Sequence, residues 1–129
     1  MARLYCKLTL TGFREEPNTV VELLKVAPDF VWAKGDKRNK SAMSPLHEEN
    51  GLQFDSGANE SEELSSHLSK ILEKLKKLYS QDIVNELKCD KELSVIVYPT
   101  EYVPEIHFDS ELLQYMSKMD VSLDVDIIL

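Results

Sequence analysis

The residues predict an α+β fold: one two-layer sandwich, with helices packed over one face of a mixed or mainly antiparallel sheet. Three observations lead there. Apolar residues alternate with period two near both ends of the chain, they recur at intervals of three and four in its middle, and the two patterns interleave. A length of 129 residues suits a single domain, 1–129, burying about two-thirds of its unfolded surface, and no low-complexity tract divides it.

The elements follow in order. "RLYCKLTL" sets Leu4, Cys6, Leu8 and Leu10 against Arg3, Tyr5, Lys7 and Thr9, the pattern of a half-buried strand that Gly12 ends. Asn18 is expected to cap a short helix, "TVVELLKV", which Pro28 prevents from continuing. "FVWAKG" reads as a second strand. "DKRNKSAMSPLHEENG" is aperiodic and dense in charge, so a mobile loop is expected before the strand-like "LQFDSG". Asn59, with Glu62 three residues on, resembles a capping box. It introduces a long helix in which Leu64, Leu68, Ile71, Leu75 and Leu78 share one face, while Lys70, Lys74 and Lys77 share the other. Ser80 is read as the cap of a short helix, "QDIVNELK". "ELSVIVYPT" is a strand stopped by Pro99, "PEIHF" a further extended piece, "SELLQYMSKM" a helix, and "VSLDVDIIL" the last strand. The predicted order is β-α-β-β-α-β-(β)-α-β.

Charge is unevenly spread. Residues 1–45 carry 8 Lys and Arg against 5 Asp and Glu, whereas residues 46–129 carry 7 against 18, so a balance of +3 gives way to one of −11. That sign repels phosphate backbones, so no nucleic-acid ligand is expected, and a basic protein is the compatible partner. No apolar run approaches the roughly 20 residues of a membrane span. The early Lys7 interrupts any secretory signal, so a cytoplasmic location is expected. Cys6 and Cys89 fit two reduced thiols, although two cysteines also permit a pair.

Candidate chemistry is sparse. Asp124 and Asp126 lie two positions apart on one face of the last strand, roughly 7 Å from each other at about 3.3 Å rise per residue. Side chains there run parallel rather than converging on a bond, which favours a solvated or edge-protecting face over a catalytic pair. His107 and Asp109 supply the raw material of a general base, but Asp109 or Ser110 also suits a helix cap. His47 and His67 lack metal-ligand spacing, so no metal is expected. The four glycines form no phosphate cradle, and no cofactor is indicated. Lys34, Lys37, Arg38 and Lys40 cluster in the long loop, as solvating charges commonly do.

Four stretches in order add a resemblance: "AKGD" at 33–36, "GLQFDSG" at 51–57, "LSSHLSKILEKL" with His67 and Leu68, and the closing "SLDVDIIL". Together they resemble the uncharacterised bacterial family called domain of unknown function four-two-seven-nine, over nearly the whole chain. Phe54 stands where that family often has Trp, and Ile128 where it often has an aromatic; both departures concern packing. The resemblance carries no catalytic role to any position.

The expected function is therefore a non-catalytic protein-binding domain. A bacterial immunity protein neutralising a basic toxin domain is its finer form, with Asp109, Glu111, Asp124 and Asp126 as the contact residues. One alternative is a small hydrolase-type enzyme bringing His107, Asp109, Asp124 and Asp126 into one cleft. Another is a homo-oligomeric structural protein that pairs through the last strand.

Overall fold

The computed structural model describes residues 2–41 and 43–129, so residue 42 of the expected loop lies outside it. Among the described residues the elements run β1 (Arg3–Thr11), α1 (Pro17–Leu23), β2 (Phe30–Trp32), β3 (Gly51–Asp55), α2 (Leu64–Tyr79), α3 (Asp82–Glu86), β4 (Asp90–Tyr98), α4 (Ser110–Lys118) and β5 (Ser122–Ile127). One sheet forms in the order β2-β3-β1-β4-β5. Its junctions are antiparallel except the last, where β4 and β5 run parallel. Parallel neighbours need a crossover, and α4 supplies it. The sheet is therefore mixed, and the fold is the expected α+β class.

The alternation in β1 decides which face is covered. Leu8 stands opposite Phe54 on one side and Leu93 on the other, and Cys6 stands opposite Val95. All of these are buried. Helix α2 lays Leu64, Leu68, Ile71, Leu75 and Leu78 over this surface, and α4 adds Leu112 and Met116. Removing one such aliphatic side chain from water contributes about 1.5–3 kcal/mol, and helix and sheet secure each other this way. The opposite face carries Tyr5, Lys7, Thr9, Ser94 and Ile96, all half-exposed.

Several local expectations are corrected. Residues 104–108 join no sheet. The side of β4 they would need is occupied by β5 from Glu92↔Ser122 to Val97↔Ile127, and Pro104 lacks a donor. Helix α1 is capped by Glu16 rather than Asn18: its carboxylate accepts the Thr19 N–H at 2.9 Å, with Pro17 in the first turn. Backbone N–H groups of Asn18 and Thr19 hold that carboxyl below its usual range. The expected capping box forms only in part and does not cap the helix: the Asn59 N–H donates to Glu62 at 2.6 Å, but Asn59 Oδ1 accepts from the Ser61 N–H at 3.0 Å, and α2 begins at Leu64 with Glu63 in its N-cap position. Ser80 ends α2 rather than opening α3, its hydroxyl donating to the Lys77 carbonyl at 2.7 Å.

The stretch between β2 and β3 is a hydrogen-bonded arm. Gly35 N–H donates to the His47 carbonyl at 2.9 Å, His47 N–H to that of Asp36 at 2.7 Å, and Lys37 bridges to Leu46. Trp32 stacks on His47 with ring centroids 4.7 Å apart. Its indole lies across Gly51, where any Cβ would collide with it. Only glycine fits at that cross-strand position.

Candidate functional site

A cleft of about 520 Å³ opens between α2, α4 and the segment leading into α4. Helical spacing builds its floor: Leu64, Leu68 and Leu72 recur every fourth residue along α2, and Leu4 and Leu112 complete an apolar base. Its rim is of one sign, with Glu63, Glu105, Asp109 and Glu111 lining it. Pro104 and His107 form part of the wall.

Asp109 occupies the N-cap position of α4, yet its carboxylate makes no capping hydrogen bond. It turns instead to His107, whose Nε2 lies 3.1 Å from Asp109 Oδ1. The capping explanation for this residue is thereby set aside, and both groups stay exposed at the mouth of the cleft. Glu111 reaches across to α2, where Lys76 Nζ lies 2.8 Å from Oε1. That carboxylate holds the Lys76 ammonium above its ordinary pKa. Glu63, Glu105 and Asp109 are left as rim carboxylates without a Lys or Arg partner among the described residues.

Asp124 and Asp126 are elsewhere. Their register partners are Ser94 and Ile96, and beyond these Lys7 and Tyr5, all on the sheet face away from the helices. They line no wall of the cleft. The structure thus brings His107, Asp109 and Glu111 together and leaves the two terminal aspartates on another surface. The single cleft holding all four candidate catalytic groups does not form, because odd and even positions of β5 face opposite sides of the sheet.

One pairing escaped the sequence. His67 Nδ1 lies 2.7 Å from Ser56 Oγ, both side chains buried, and the Ala58 N–H also donates to that hydroxyl at 3.2 Å. His67 Nε2 has no partner among the described residues. Burial pushes the imidazole pKa down, outweighing the Asn59 carbonyl and the Glu62 carboxylate, which push it up. The signal was present, since Ser56 and His67 fall in two of the four quoted stretches, but their contact depends on how β3 and α2 pack.

Cys6 and Cys89 are both free. Burial raises the Cys6 thiol to about 12, which removes it as a nucleophile near neutral pH. No group of three His, Cys, Asp or Glu side chains among the described residues is arranged to hold a metal ion. No helix among the described residues is long and apolar enough to cross a membrane.

In comparison with known protein families, the family described as Domain of unknown function (DUF4279) matches residues 2–129. No curated protein matches the chain, and no solved structure matches it.

Proposed function

The chain belongs to the DUF4279 family, and from that premise we propose that it is a non-catalytic protein-binding domain whose cleft receives a basic, partly apolar segment of a partner protein. The observation that supports this reading is the cleft's construction, an apolar floor beneath four carboxylates. Apolar area supplies affinity, while rim charge selects partners and speeds their encounter. A net charge of −8 extends the attraction beyond the cleft. An immunity protein acting in the bacterial cytoplasm against a basic toxin domain is the finer form of the proposal.

The test is a pull-down with the purified products of neighbouring genes, at low and high salt, using the native chain and a Glu105→Lys, Asp109→Lys double variant. A basic partner is expected at low salt, weakened at high salt and lost with the variant. Recovery of no partner, or of one the variant still holds, would overturn the reading.

A second reading, a hydrolase-type enzyme, is favoured by the 3.1 Å approach of His107 to Asp109 at the mouth of the cleft. The carboxylate would orient the imidazole as a general base. Asp124 and Asp126 have no part in it.

A further inference from the structure

We propose that the outer edge of β5 is a strand-addition site, accepting an extended segment of another protein in which Lys or Arg alternates with apolar residues. The inference does not rest on the cleft, which lies apart from this edge.

The edge is open. β5 is the last strand of the sheet, and the Ile128 N–H donates to the Val97 carbonyl at 2.9 Å. Alternation along a parallel ladder then turns the N–H and C=O groups of Leu123, Val125 and Ile127 away from β4. No turn or loop among the described residues bonds to them. Such a row is a template for another strand.

Its two faces differ in chemistry. Toward the helices stand Leu123, Val125 and Ile127, exposed by 40%, 38% and 41% because the helical layer stops short of this strand. On the other face stand Asp124 and Asp126, with no hydrogen-bond or ion-pair partner among the described residues.

Charge decides the occupant. When two copies pair through β5 about a two-fold axis, each face keeps its side, so acids meet acids. A register centred on Val125 sets Asp124 opposite Asp126 twice, and one centred on Asp124 or Asp126 sets that residue opposite its own copy. Directly opposed like charges destabilise a pair of strands, and β5 carries no cation to relieve them. Registers centred farther out pair only a few residues. A second copy is therefore refused, while a strand bearing cations at alternate positions meets carboxylates on one face and a half-exposed apolar row on the other.

The test uses a capped peptide of alternating Lys and Val, seven residues long, its Glu-Val counterpart, and a Lys-Val peptide N-methylated at alternate residues. The readout is amide hydrogen exchange at Leu123, Val125 and Ile127, followed by NMR. At saturation the Lys-Val peptide should slow exchange at these amides roughly tenfold or more, and the other two peptides should not. An Asp124→Lys, Asp126→Lys variant should transfer protection to the Glu-Val peptide. The proposal is overturned if these amides stay unprotected, if Lys and Glu peptides protect alike, or if N-methylation makes no difference. Protection that rises with protein concentration alone would point to a second copy and also overturn it. Because the readout sits on β5 itself, it can fail while the pull-down succeeds, and the reverse.

Discussion

Two imidazoles in this molecule lie near a polar partner of similar reach, and their surroundings give them opposite characters. His67 is 1% exposed, held by Ser56 at 2.7 Å between the end of β3 and the first turn of α2. His107 keeps 68% of its side chain in solvent beside Asp109 at 3.1 Å. In the first pair the imidazole fills core volume and burial favours its neutral form; in the second it stands open to a ligand. A histidine with a hydrogen-bond partner is thus a structural part or an accessible group according to depth, not according to the pair itself.

The widest separation should appear in stability. His67→Ala removes buried volume and leaves the Ser56 hydroxyl with the Ala58 N–H alone, so it should lower unfolding free energy by about 2–4 kcal/mol in urea denaturation. A loss under about 1 kcal/mol would break the contrast between the two sites.

Acid sensitivity sharpens the contrast. The folded-state pKa of His67 lies below its ordinary 6.5, so the unfolded chain takes up this proton first. Its contribution is complete above 6.5 and declines as pH falls from there through the folded-state value. Glu62 and Lys70 are the charges that act on it, in opposite directions. The lowered Glu16 and Glu62 carboxyls lose their own contributions only below 4.5, in a separate window. Denaturation midpoints measured between these limits should fall for the native chain and stay flatter for His67→Gln; equal slopes would remove His67 as the cause.

The smallest effect is expected at the exposed pair. His107→Ala should change stability by no more than about 0.5 kcal/mol, as surface substitutions usually do. That makes it a clean probe of the enzyme reading: ester or amide turnover by the native chain that vanishes in His107→Ala would favour a hydrolase, and no turnover in either would exclude it.

Legibility in the sequence followed physical range. Period two in "RLYCKLTL" and period three to four in α2 are local steric facts, and both elements formed where the pattern placed them. Cap positions were less legible, because Glu16, Asn18 and Ser80 all offer side-chain oxygens and neighbouring backbone geometry selects among them. At the candidate site, His107 and Asp109 were visible as an i, i+2 pair, and Glu111 as an acid on α4. The leucine floor beneath them was read only as core, since nothing in the spacing of Leu64, Leu68 and Leu72 tells that Pro104 and His107 will wall in a space above it.

By itself the sequence determined the α+β class, the covered faces of β1 and α2, and the acidic sign of whatever surface residues 46–129 would offer. Those follow from side-chain period and composition, which act within a few residues of the chain. Only tertiary structure decided that β5 would be an open parallel edge, that Ser56 would meet His67, and that Asp109 and Asp124 would belong to different surfaces. Each depends on strand order and on how the helical layer sits over the sheet, and these are settled by the best burial of the whole apolar set rather than by any one segment.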